Sequence, residues 1–284
     1  MKLVTFVADG SERIGVVKEK GIVDLSRSAA PSDMIGLISA WPKIEADIRR
    51  FADTAKPDFA VAEVRLKAPV PRPPKILAIG LNYADHIAET GREKPERQVW
   101  FAKLSNAVNG PYDPIEMPRV STAIDYEAEF VFVVGKRGRH IAKEKAHEMV
   151  FGYCAGNDVS VRYWQYASPQ WILGKSFDTH APFGPWIVTP DEVGDPHTLG
   201  IRCLVNGEMR QNSNTRELVF NIFDQIAHLS EAMTLEPGDV VFTGTPGGVG
   251  AAMKPPGYLK AGDVVRVEID KIGALEAQMA AEAS

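Results

Sequence analysis

Three acids alternate along one short stretch, Asp125, Glu127 and Glu129, and lead directly into the apolar residues 130–135. The β-branched and aromatic residues there read as a strand, whose side chains point alternately to its two faces. Asp125, Glu127 and Glu129 then share one face, and Tyr126, Ala128 and Phe130 share the other. Like charges on one face repel, so that face is either open to water or covered by something positive. The unbroken apolar run argues for burial on both faces and against plain solvation. A divalent cation is therefore expected, with Glu127 and Glu129 as two ligands and a third acid brought from elsewhere. Asp158, in the polar turn that follows 152–156, is that acid. Asn157 and Asp158 also suit a helix N-cap, because both side chains accept free backbone donors.

Other residues of a chemical kind surround these acids. Arg162 and Gln165 lie three apart on one helical face, where they could reach a bound carboxylate. His86 and Glu89 have the same spacing, and a carboxylate beside an imidazole orients it to take a proton from water. A surface helix carrying a histidine and a glutamate is the plainer reading of that pair. Lys175 follows an apolar run and sits between Gly174 and Ser176, which suits burial near anionic groups better than an ordinary surface position. Residues 243–250 are glycine-rich without a Walker pattern. They read either as a long turn or as backbone N–H groups and threonine hydroxyls gripping a carboxylate, with Gly244 and Thr245 at its centre.

The elements that must position these residues are legible in outline. Short strands with tight turns open the chain, at 3–7, 13–17 and 21–25. Helical patterns follow at 32–40 and 42–52. Pro69, Pro71, Pro73 and Pro74 make a stiff extended stretch, which places a domain boundary between 1–70 and 71–284. Beyond it, 75–80 and 99–103 read as strands. The charged segment 90–98 reads as a lid, and 142–149 and 218–233 as helices. Asn206 and Gly207 between two strands are the hairpin signal of a type I′ turn.

The chain has 284 residues, of which 24% are charged and 45% hydrophobic, with a net charge of -5. No basic cluster exists beyond Lys136, Arg137 and Arg139, which excludes nucleic acid as a partner. Cys154 and Cys203 have neither CxxC nor Cys/His spacing, as expected for reduced thiols in a cytosolic protein. Asp9 and Gly10 interrupt the start before a signal-peptide core could form, and no apolar stretch approaches membrane-spanning length. A cytoplasmic protein with no membrane partner is expected.

Taken together, the ordered motifs resemble the fumarylacetoacetate hydrolase family over roughly residues 75–272. They are Ile79-Gly80-Leu81-Asn82-Tyr83 with His86, the stretch from Asp125 to Glu129, Asn157-Asp158-Val159-Ser160 with Arg162 and Gln165, Gly174-Lys175-Ser176-Phe177-Asp178, Val205-Asn206-Gly207-Glu208, and Thr243-Gly244-Thr245-Pro246. The resemblance implies a β-rich α+β fold, a mixed β-sandwich roll with a small N-terminal α/β domain, in a homodimer. It implies Mg²⁺ or Mn²⁺ on Glu127, Glu129 and Asp158, in keeping with the preference of hard cations for oxygen ligands. His86 and Glu89 match the dyad of the acylpyruvate-hydrolase branch, which lies on a lid, and Lys175 matches the active-site lysine. Tyr83, Arg162, Gln165, Gly244 and Thr245 fall where substrate is bound. The implied activity is hydrolysis of a carbon–carbon bond in a small 2,4-dioxo acid. Oxaloacetate decarboxylation, ureidoglycolate cleavage and dienoate isomerisation occur on similar proteins, and a small-molecule binder without activity is a further alternative. Three departures bear on this: Ala128 where glycine is frequent, Leu104 after Lys103 where proline is usual, and Tyr163 after Arg162 where aspartate is frequent.

Overall fold

The computed structural model describes residues 1–91 and 93–282. Arg92, within the lid-like 90–98, and Ala283 and Ser284 lie outside the described residues. The larger sheet has twelve strands. Its main path runs Phe59–Ala60, Gly21–Asp24, Ser11–Lys18, Lys2–Ala8, Ala181–Val188, Val150–Asn157, Ala128–Val134, Val240–Phe242, Ile76–Gly80, Val99–Lys103. Arg65–Leu66 pairs with Lys2–Ala8, and Val108–Asn109 with Ala181–Val188. A five-stranded sheet is ordered Glu208–Asn214, Gly200–Val205, Val264–Ile269, Gly273–Ala281, Ile115–Met117. Ile124–Asp125 and Ser160–Val161 form a small ladder of their own. This strand-rich α+β architecture is the expected fold class.

Ala128–Val134 lies at the centre, with every residue buried. Ala128, Phe130, Phe132 and Val134 pack towards Cys203, Val265, Val267 and Leu275 of the five-stranded sheet. Val131 and Val133 face the other way, into a core shared with Leu37, Ile38 and Ile48. Burial on both faces is why this strand reads as an unbroken apolar run. Each phenylalanine so buried contributes roughly 1.5–3 kcal/mol.

The two helical patterns at 32–40 and 42–52 form a single helix, Met34–Thr54, with Pro42 inside it. Proline in a helix interior costs about 3 kcal/mol. Leu37 and Ile38 before it and Ile48 after it nevertheless bury on the same core, and that packing keeps the helix continuous. Asp33 caps its start, accepting from the Gly36 N–H. Residues 143–149, expected as an α-helix, form a 3₁₀-helix. The hairpin turn has positive φ at both Asn206 (53°) and Gly207 (81°), as type I′ requires.

Residues 1–70, set apart in the sequence by the prolines, continue the large sheet. Lys2 pairs with Val188 and Leu3 with Ile187, and Leu3, Ile14 and Val16 share a core with Phe183, Ile187 and Phe242. The parallel strands Ile76–Gly80 and Val240–Phe242 end beside the start of the central strand Ala128–Val134. The chain leaving those strand ends carries His86 and Glu89, on a short helix, and the glycine-rich segment.

Candidate active site

Sheet register brings the acids together. Ala128 pairs with Asn157 and Glu129 with Gly156, so Asp158, one residue further on, emerges beside Glu127 and donates its N–H to the Glu127 carbonyl at 2.9 Å. Ligand oxygens of Glu127, Glu129 and Asp158 lie within 4.8 Å of one another, and all three residues are buried. Asp125 turns away from them. It pairs with Ser160 in the small ladder and accepts from Arg162 Nη2 at 2.7 Å and from the Gly250 and Ala251 N–H groups at 2.8 and 2.9 Å.

Three buried cations answer these acids. Lys175 Nζ donates to Glu127 Oε2 at 2.6 Å and to Asp158 Oδ2 at 2.7 Å. Lys103 Nζ reaches Asp158 Oδ1 at 2.5 Å, and Arg162 Nη1 reaches Glu127 Oε1 at 2.7 Å. Lys103 was a strand end without a role in the sequence, and its partner lies 55 positions away. The helices Arg162–Tyr166 and Ile172–Lys175 that carry the other two can cross closely because Gly174 has no side chain; a Cβ there would collide with the Gln165 backbone.

Glu129 is the acid left over. Among the described residues its carboxylate accepts from the Gly244 N–H alone, at 2.7 Å, and no lysine or arginine pairs with it. Gly244 has φ of 103°, and a Cβ there would come within 2.8 Å of the Asn82 Cβ, so glycine is required. Burial, and then the nearby charges of Asp158 and Glu127, push the Glu129 carboxyl well above its ordinary range. Burial would also raise Glu127, but Lys175 and Arg162 overcome it and hold that carboxyl low. Four acids facing three cations, with one carboxylate unneutralised, is a donor set that fits a hard divalent cation.

The cavity's other wall is built on the short helix Ala84–Thr90, closed by Gly91 at positive φ. His86 Nδ1 lies 3.2 Å from Glu89 Oε2, and the second Glu89 oxygen accepts from the Gly248 N–H at 2.8 Å. Burial would raise the Glu89 carboxyl, yet His86 and that N–H hold it low. Asp85 accepts from Ser213 Oγ at 2.5 Å and from the Gly247 N–H at 3.2 Å. The helix is thus docked on the glycine-rich loop. That loop's N–H groups are given to the protein's own acids, Asp85, Glu89, Asp125 and Glu129.

A cavity of about 440 Å³ joins the two walls. His86, Glu89, Glu127, Glu129, Arg162, Gln165, Lys175 and Thr245 all line it. Asp158, fully buried, and Gly244, buried, lie outside its lining. Tyr83 is fully buried too, outside the lining, with a hydroxyl that has no hydrogen-bond partner among the described residues. A second cavity of about 430 Å³, near Trp164, Leu173 and Phe177, contains none of these site groups.

A strand-rich fold with carboxylates gathered at the ends of its central strands defines a class, and sequence comparison assigns it. Residues 75–280 match the fumarylacetoacetate (FAA) hydrolase C-terminal domain, so the chain belongs to the fumarylacetoacetate hydrolase family and is an enzyme. It is 44% identical over 283 residues to the oxaloacetate tautomerase fahd2, mitochondrial, of Xenopus laevis, covering 97% of this chain and 89% of that one. Maleylpyruvate hydrolase from Sphingobium sp. SYK-6, solved with manganese (II) ion and pyruvate, superposes with a TM-score of 0.85 at 33% identity over the full length of both chains. The fumarylacetoacetate hydrolase of Exiguobacterium antarcticum gives 0.85 at 37% identity, over 99% of this chain and 100% of the other. Among the described residues no helix is long and apolar enough to cross a membrane. Both cysteines are buried and free.

Proposed function

We propose that this chain is a Mg²⁺- or Mn²⁺-dependent hydrolase that cleaves a carbon–carbon bond in a small 2,4-dioxo acid to give pyruvate and a second acid. The observation that carries the reading is the His86–Glu89 pair on the same cavity as Glu127 and Glu129. Glu127, Glu129 and Asp158 would hold the ion, which when bound supplies Lewis-acid polarisation of the substrate's 1-carboxylate and 2-oxo oxygens. Glu89 accepts from Nδ1–H of His86, which leaves Nε2 as the basic nitrogen. His86 takes a proton from water, and the resulting hydroxide adds to C4. The C3–C4 bond then breaks, its electron pair passes to C3 as the pyruvate enolate, and C3 takes a proton. Lys175 fixes Glu127 and Asp158 and adds positive charge where that enolate develops. Arg162, Gln165 and Thr245 line the cavity on the substrate side, with Gly244 and Tyr83 supporting the wall behind them.

A second reading, keto–enol interconversion or decarboxylation of oxaloacetate, needs the ion but no attacking water. The 44% identity to an oxaloacetate tautomerase favours it. Product analysis separates the two: acetylpyruvate yielding acetate and pyruvate supports hydrolysis. Enolisation or carbon dioxide release from oxaloacetate, with acetylpyruvate left intact, replaces it by the second. The reading takes the protein as a cytoplasmic homodimer. Exposed Val120, Tyr163, Trp164 and Leu173 offer apolar surface for a second copy, which light scattering checks. The frog relative's name places that protein in mitochondria, so localisation of a tagged chain is the companion test.

A further inference from the structure

The basic side chains that line the catalytic cavity are His86, Arg162, Lys175 and Lys254. Three of them are committed: His86 to Glu89, Arg162 to Asp125 and Glu127, Lys175 to Glu127 and Asp158. Lys254 makes no hydrogen bond or ion pair with any described residue. Its backbone is nevertheless well anchored. The turn Gly250–Ala252 before it gives two N–H groups to Asp125, the Met253 and Gly257 N–H groups both reach the Gly250 carbonyl, and Leu259 bonds to Ile124. A long, uncommitted ammonium on a fixed loop at a cavity rim can lean over an anion without losing another contact.

Charge balance says which anion. Asp125, Glu127, Glu129 and Asp158 face Lys103, Arg162 and Lys175, so a doubly charged ion leaves this cluster one positive charge in excess, and Glu89 on the opposite wall of the same cavity adds one further acid. The cluster has at most enough charge for the 1-carboxylate of a 2-oxo acid. A second carboxylate on the same substrate needs a cation from outside the cluster.

Resting on the 2-oxo acid reading above, we propose that Lys254 recognises that second carboxylate, so that the site prefers 2-oxo dicarboxylic acids to their monocarboxylic counterparts. The test is calorimetric titration of 2-oxoglutarate and of pyruvate, in Mg²⁺, against the wild type, Lys254→Met and Lys254→Arg. The wild type should bind 2-oxoglutarate about tenfold more tightly, the scale of one charge-assisted contact. Lys254→Met should lose that preference and Lys254→Arg keep it. In turnover, Lys254→Met should lower the ratio of kcat/KM for oxaloacetate to that for acetylpyruvate about tenfold, mainly through KM. No preference in the wild type, or its survival in Lys254→Met, overturns the proposal. If no 2-oxo acid is turned over but the binding preference still depends on Lys254, the catalytic reading fails and this inference stands.

Discussion

The two walls of the cavity are built on opposite principles. The inner wall holds Glu127, Glu129 and Asp158 on strand ends, fixed by ladder register and by three buried cations, with almost no access to water. The outer wall holds His86 and Glu89 one helical turn apart on a seven-residue helix, their side chains 12% and 27% exposed. Carboxylates meant for a hard ion gain from a dry, pre-set geometry, at a cost in stability while one charge is unneutralised. A pair meant to pass protons to and from water has to meet water. The same residue type, glutamate, serves both walls, and burial decides which task it has.

The largest effect should come from the inner wall. Glu129→Gln should abolish the rise in melting temperature on adding Mg²⁺ or Mn²⁺ and lower turnover by about a thousandfold or more. Without metal it should melt no lower than the wild type, because the amide replaces a carboxyl whose charged form burial and the neighbouring Asp158 and Glu127 already disfavour. A lower metal-free melting point would show that Glu129 is already balanced. Lys103→Met, by contrast, breaks a pair in which both side chains are fully buried. It should cost about 3 kcal/mol or more in urea unfolding.

A second histidine sharpens the contrast. His180 is fully buried, and burial lowers its imidazole to about 4 from an ordinary 6.5. The unfolded chain therefore takes up a proton that the folded one refuses, so this contribution is complete above pH 6.5 and is lost as pH falls towards 4. Urea unfolding across that window should show His180→Gln losing less stability than the wild type, by at most about 3 kcal/mol.

On the outer wall, His86→Asn should reduce hydrolysis by about a hundredfold or more while calorimetry still detects Mg²⁺ binding. Full hydrolytic turnover in that variant would remove the water-activating role. Glu89→Gln loses the charge and can keep only one of the two hydrogen bonds that the carboxylate accepts, from His86 or from the Gly248 N–H, and should cost about tenfold in kcat.

What could be read from the sequence divides along similar lines. Period-two alternation describes Ala128 to Val134 and the Asn206–Gly207 signal describes its turn, but Asp125, expected on the same face as Glu127 and Glu129, belongs to a separate small ladder with Ser160. The proximity of Glu127 and Asp158 was an inference from charge alone, since the ladder that unites them pairs residues about thirty positions apart. Lys103 left no local mark, because an apolar strand ending in lysine looks the same whether or not an aspartate awaits it. Pro42 divided one helix into two in the sequence because its cost is local, while the compensating core contacts of Leu37, Ile38 and Ile48 are not. The recipients of the glycine-rich loop's N–H groups were likewise invisible, lying up to 162 positions away.

The strand Ala181–Val188 spends its outer side on two short partners, Val108–Asn109 at one end and the first residues of the chain at the other. Peeling away residues 1–70 would strip half of that cover and bare unpaired main-chain donors and acceptors beside Phe183 and Ile187. Such a fragment, though it holds every proposed catalytic group, should recruit strands from its neighbours and precipitate, so the opening strands serve the enzyme as a hem that stops the fabric from fraying.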